Sequence, residues 1–290
     1  MIHFTKYRKL YYIFSGVLTL ISVFAIFKFG LKFGIEFTGG TLLELGFEKP
    51  VSNQEIKEKL AKFDLGEITI QPTEENTVIL RFKQVSEETH QEILKELGNP
   101  QEKSFEAIGP TVGKELERKT IIAVLLALVV ITFYIAFAFR KSSGRVSSFQ
   151  YGLASLIALF HDVFIPIGIF ACLGEFKNIE IDISFVAALL TILGFSVHDT
   201  IVVFDRIREN LTKQGKACFE EVVNLSLNQT LARSINTVLS VLLTVAAIYL
   251  FGGETLKTFA FALIIGIVSG AYSSIFIASP LLVSWQRSRS

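Results

Sequence analysis

Two aspartates stand inside long apolar runs of this sequence, and each follows a histidine. His161-Asp162 interrupts residues 151–173, and His198-Asp199 interrupts residues 183–204. An ionised carboxylate in hydrocarbon costs from about 3 to more than 10 kcal/mol, so such residues face a bundle interior or a wet cavity and often mark an ion or proton path. A structural aspartate bonded to a neighbouring helix reads the same way. At about 1.5 Å per residue, Asp162 lies near the midplane of its run and Asp199 about 10 Å from the end of its own. Arg233, at the start of a later apolar run, is the strong cation placed to reach inward toward Asp199. A carboxyl balanced between desolvation and a guanidinium can load and release a proton near neutral pH. A fixed Arg–Asp bridge is the alternative, and the residues alone leave both open.

Other chemistry finds less support. Adjacent helix positions point about 100° apart, so neither His–Asp pair is expected to share a face. An interhelical hydrogen bond is the expectation for both histidines, and neither is read as a metal ligand. Cys172 and Cys218 have no metal spacing and imply no disulfide framework. Asp205-Arg206 falls at the end of an apolar run, where charge costs little, and reads as a boundary anchor. H-E-x-x-H, G-x-S-x-G and G-x-x-x-x-G-K-[ST] are all missing, so neither an enzyme nor a cofactor is expected. Work done by such a chain would draw on an ion gradient or a partner.

The elements that position these residues are membrane spans. The chain has 290 residues, 51% of them hydrophobic, with 27 Phe and a mean hydropathy of +0.51. Apolar runs at 10–27, 121–139, 151–173, 183–204, 235–251 and 258–285 make six spans. The first follows Lys6, Arg8 and Lys9 and ends near a weak cleavage match at Val23-Phe24-Ala25; its length favours an uncleaved span over a signal peptide. Pro166 predicts a kink in the third. Gly266-x-x-x-Gly270, with Ser274 one turn on, gives the sixth a small-residue face for close packing. Residues 205–234 read as a cytoplasmic connector carrying Phe219, Val222, Val223 and Leu227 on an amphipathic helix, either at the interface or against the bundle ends.

Residues 35–118 are of a different kind, polar and built from short elements. Strands are expected at 41–47, 67–71, 77–82 and 104–108, with Gly39-Gly40 as a bend or bulge and a polar turn at 72–76. Helices at 51–63 and 86–97 carry Ser52 and Ser86 as N-caps. The order β-α-β-β-α-β is that of a small ferredoxin-like α+β domain between the first two spans. With an N-terminal tail and first span at 1–34 and a five-helix bundle at 119–290, the fold class is membrane α-helical with one such domain. Lys and Arg flank the spans unevenly. Lys6, Arg8, Lys9, Arg140, Lys141, Arg145, Arg206, Arg208, Lys213, Lys216, Arg233, Arg287 and Arg289 share one side, against Lys177 and Lys257 in the short loops of the other. Both termini are therefore expected in the cytoplasm and residues 35–118 outside. A net charge of +1, segregated along the chain, predicts no nucleic-acid partner.

Five stretches in order carry a resemblance: GIEFTGGT at 34–41, VGKEL at 112–116, ALFHD at 158–162, residues 196–210, and NQTLARS at 228–234. On this six-span layout the chain resembles the SecD/SecF family of protein-export membrane proteins, within the resistance–nodulation–division superfamily. One small outer domain fits the SecF-type branch. The resemblance implies an accessory subunit of the Sec preprotein translocase in the bacterial plasma (inner) membrane. It would supply half of a transporter whose other half is SecD, and use the proton-motive force to move preproteins. SecYEG, YajC, the preprotein and the surrounding membrane lipids are the other implied partners. Asp199 and Arg233 match family positions implicated in proton transport, and Asp162 a recurrent intramembrane acid. Glu36 stands where the family's G-[IV]-D-F-x-G-G-T has Asp, and His198 where Asn is familiar. A non-transporting scaffold of the translocon, or half of a lipid or drug exporter of the superfamily, are the rival readings.

Overall fold

The computed structural model describes residues 2–73, 76–140, 146–214 and 217–287. The middle of the expected turn at 72–76, and Lys141, Arg145, Lys216 and Arg289 of the basic flanks, lie outside the described residues. The chain divides into two compact units, Phe33–Ile121 and Met1–Lys32 with Ile122–Ser290.

The smaller unit begins with a single helical turn, α2 (Ile35–Thr38), and contains β1 (Gly40–Gly46), α3 (Asn53–Leu60), β2 (Thr69–Pro72), β3 (Thr77–Phe82), α4 (Glu87–Glu96) and β4 (Gln101–Ile108). The sheet order is β2-β3-β1-β4 with every neighbouring pair antiparallel, the split βαβ arrangement that the element order predicts. Ser52 and Ser86 cap α3 and α4, accepting from the amides of Glu55 and Thr89. Leu43, Leu45 and Leu80 of the sheet meet Ile56, Leu60 and Ile93 of the helices in one apolar core. Gly39 and Gly40 make a bend, with φ of +76° and +144°. A Cβ on Gly40 would stand 2.9 Å from the Phe82 carbonyl oxygen, so the start of β1 admits no side chain there. The bulge lies elsewhere, between Glu44 and Leu45.

Among the described residues, six helices are long and apolar enough to cross a membrane. They are α1 (Arg8–Phe29, preceded by a 3-10 turn), α5 (Pro110–Ala138), α6 (Ser148–Lys177), α7 (Ile183–Lys213), α8 (Phe219–Phe251) and α9 (Glu254–Ser273), the last continued by a π-helical turn at Ser274–Ala278 and by α10 (Ser279–Arg287). The central helices are α6, α7 and α9, whereas only 11% of the most apolar window of α5 and of α8 is buried. Small residues allow the close approaches. A Cβ on Gly168 of α6 would come within 2.4 Å of Ser22 on α1, and one on Gly266 of α9 within 2.1 Å of Ile192 on α7. The G-x-x-x-G face is thus a contact within the chain.

The segment 205–234 is not a separate connector. Helix α7 runs on to Lys213 and α8 begins at Phe219. The charges that end the apolar run are good helix formers and pair along the helix: Arg208 with Asp205, Arg206 with Glu209 and Lys213 with Glu209, each at 2.6 Å. Val222, Val223 and Leu227 are buried with Ile207 and Leu211, so this stretch packs on the bundle instead of lying in the interface.

Candidate functional site

The polar centre of the bundle is built where α6, α7, α8 and α9 bring small residues together. Asp162 is fully buried on α6. Its Oδ2 accepts hydrogen bonds from Ser196 Oγ of α7 at 2.5 Å and Ser273 Oγ of α9 at 2.6 Å. Its Oδ1 takes Ser269 Oγ at 3.2 Å and lies 2.9 Å from Nδ1 of His161. The expectation that His161 and Asp162 would diverge is therefore wrong. Small neighbours leave room for the imidazole to turn back over Asp162, with Tyr272 stacked against it at 5.9 Å. Pro166 lies within α6 four residues on and has no N–H to give to the Asp162 carbonyl, which loosens the backbone at this acid.

Asp199 is buried on α7, its Oδ1 accepting from Ser234 Oγ of α8 at 2.5 Å and its Oδ2 from Ser274 Oγ at the π turn. His198, one position earlier, is exposed. Ser196, on the same helix three residues before Asp199, serves the other acid, so α7 carries one end of each cluster. The two clusters also meet in the adjacent residues Ser273 and Ser274.

Arg233 is not where its charge suggested. It lies on the exposed side of α8 and makes no hydrogen bond or ion pair among the described residues. The neighbouring Ser234 points inward and takes the place next to Asp199, and one residue of helix rotation separates the two directions. At the boundary, Arg206 binds Glu209 and donates from Nε to Gln229 of α8 at 2.7 Å, tying the two helix ends together. Groups of three or more His, Cys, Asp or Glu able to hold a metal are absent among the described residues.

Sequence reasoning overlooked the hydroxyls of Ser196, Ser234, Ser269 and Ser273 altogether and valued Ser274 only for its size. A signal existed: Gly266, Ser269, Gly270 and Ser273 recur at helical spacing inside an apolar span, where polar side chains turn to the bundle interior. What that spacing lacked was the other helix.

Comparison with known proteins identifies the family. The family described as protein export membrane protein SecD/SecF, C-terminal, matches residues 89–288, and the SecD/SecF GG motif matches residues 24–51. The chain belongs to the SecD/SecF family. A protein translocase subunit SecF from Thermobaculum terrenum is 45% identical, covering 99% of this chain and 94% of the relative. One from Synechocystis is 38% identical, covering 98% and 94%. The crystal structure of SecDF, a translocon-associated membrane protein from Thermus thermophilus, superimposes with a TM-score of 0.86 at 33% identity. The match covers 99% of this chain and 39% of the SecDF chain. Within the family, the GG motif is the Gly39-Gly40 bend whose close approaches are described above.

Proposed function

We propose that this chain is an accessory subunit of the Sec preprotein translocase, paired with a SecD-type half in the bacterial inner membrane and driven by the proton-motive force. The observation that carries the reading is the pair of buried carboxyls, Asp162 and Asp199, held by serine hydroxyls with no Lys or Arg bonded to them among the described residues. A hydroxyl serves either protonation state, because it donates to a carboxylate and accepts from a carboxylic acid. A guanidinium would hold the charged form alone. The two acids are thus poised to carry a proton, and the energy for export comes from that movement and not from a bond-breaking reaction of this chain.

The exposed side of α8 supports the partner. Arg233, Asn236, Ser240 and Thr244 recur along one face of a span and are exposed in the single chain. Ser240 and Thr244 donate to carbonyls of their own helix, but an arginine and an asparagine in hydrocarbon are costly unless covered, and a second transporter half would cover them. SecYEG, YajC and the translocating preprotein are the further partners of this reading. The basic flanks support a reading with both termini in the cytoplasm and residues 35–118 outside. Labelling of Lys57→Cys from outside and Lys213→Cys from inside, in a chain lacking Cys172 and Cys218, checks that orientation.

The function is tested with Asp199→Asn and Asp199→Glu in vesicles carrying the SecD-type partner. Asparagine still meets the hydroxyls of Ser234 and Ser274, so abundance and assembly should stay near wild type. Gradient-driven export should be lost with Asn and partly kept with Glu. Export by Asp199→Asn at the wild-type level under an imposed gradient would leave the scaffold reading in its place.

A further inference from the structure

Each hydroxyl at the junction of the two acid clusters has one proton and two places to put it. Ser273 Oγ is 2.6 Å from Asp162 Oδ2 and 3.1 Å from the carbonyl of Gly270. Ser274 Oγ reaches Asp199 Oδ2 and lies 3.2 Å from the carbonyl of Ala271. A serine donates one hydrogen bond at a time. With the carboxyl ionised, the hydroxyl must donate to it. With the carboxyl protonated, the acid's own O–H needs an acceptor, and the serine oxygen supplies it while its proton swings to the carbonyl three residues back.

These two serines stand where α9 gives way to the π turn, whose geometry is further held by Ser279 Oγ donating to the Ser274 carbonyl at 2.9 Å. Such turns often fall at functional positions, and a side-chain proton on a carbonyl of the preceding turn bends or loosens a helix. The groups facing Asp162 are His161 on its own helix, Ser196 of α7, and Ser269 and Ser273 of α9, with Tyr272 behind the imidazole. Those facing Asp199 are Ser234 of α8 and Ser274, while His198 and Arg233 face away. The serine bonds are therefore the direct readout of each carboxyl's proton on α9.

We infer that Ser273 and Ser274 are positioning residues that transmit the protonation of Asp162 and Asp199 to α9, donating to the carboxyls when these are charged and, when they are neutral, accepting from them while donating to the α9 backbone. Two acids report to adjacent residues, so both serine protons rest on α9 carbonyls only when both acids are protonated. The inference rests on the proton-carrier reading of the two acids.

Infrared difference spectra on acidification, recorded on the full chain with its SecD-type partner in vesicles, test it. The stretching band of each protonated carboxyl is assigned by its loss in Asp162→Asn or Asp199→Asn. Ser273→Ala should displace the Asp162 band and leave the other, and Ser274→Ala the converse. Ser279→Ala, just past the π turn and touching no carboxyl, should displace neither. Ser273→Cys, with a weaker donor of similar size, should fall between wild type and alanine. Export under a gradient should fall about tenfold in each alanine variant, the equivalent of one hydrogen bond to a charged group, with abundance unchanged. Bands that ignore their own serine, or that respond equally to Ser279→Ala, would overturn this inference alone. Carboxyls that show no protonation change in wild type would overturn the proton reading and this inference with it.

Discussion

The α+β domain and the helix bundle bury opposite kinds of residue. In the domain, Leu43, Leu45, Ile56, Leu60, Leu80 and Ile93 form a core that excludes water, and the charged residues are left on the surface. In the bundle, Asp162, Asp199 and the five serines are inside, while Phe133, Leu239, Leu243 and Phe251 are exposed. The first core is held by the hydrophobic effect. The second cannot be, because lipid is as apolar as leucine; close packing and hydrogen bonds between helices hold it instead. One chain thus uses two kinds of adhesion, and each has its own weak point.

The largest expected effect is in the domain. Leu80→Ala leaves a cavity in a fully buried site and should cost about 4 kcal/mol, read as early proteolysis within residues 33–121 while the bundle fragments stay protected. Next comes Gly266→Leu, which drives side-chain atoms into Ile192 and should cost about 3 kcal/mol, read as a lower melting temperature in detergent. Unchanged melting would mean that the α7–α9 contact is loose and that the bundle does not depend on close packing.

Smaller effects sharpen the contrast. Removing either N-cap, Ser52→Ala or Ser86→Ala, should cost about 1 kcal/mol in the domain. Asp162→Asn should change bundle stability by less than about 1 kcal/mol, since the amide can still bond the hydroxyls around it, yet abolish gradient-driven export. A large loss of stability there would make the acid a structural member. The smallest effect is one of pH. Hydrogen bonds from Gln91 and then His90 hold the Glu87 carboxyl below its usual range. Its contribution is therefore present above the unfolded value and fades as the pH falls through the folded one. Glu87→Gln should flatten the stability of the domain below about pH 4, in a chemical-denaturation series.

Much of the fold was legible because its signals are local. Thr77–Phe82 is a strand with the bounds its alternation predicts, and the N-caps fall at Ser52 and Ser86 as the spacing of Glu55 and Thr89 from them suggests. The strand expected at 104–108 begins three residues earlier, at Gln101, because pairing with Gly46 and Leu45 of β1 extends a polar segment that has no apolar alternation of its own. The helices α7 and α8 pass the apolar boundary for a similar reason: the charges at 205–213 mark the end of hydrocarbon, not the end of a helix.

For the site, the residue types in the sequence were enough to mark Asp162 and Asp199, since a carboxyl inside an apolar span stands out whatever surrounds it. They were also enough, with the quoted motifs, to identify the family. They could not say what each acid touches. An arginine outranks a serine in any ranking by charge, but contact depends on the rotation of each helix about its axis. For α6, α7 and α9 the close approaches are those of Gly168 to Ser22, Gly266 to Ile192 and Gly270 to Ser196. Only the packed bundle decides that Ser234 faces Asp199 while Arg233 faces out, and that the hydroxyls of Ser234 and Ser274 stand where Arg233 was expected.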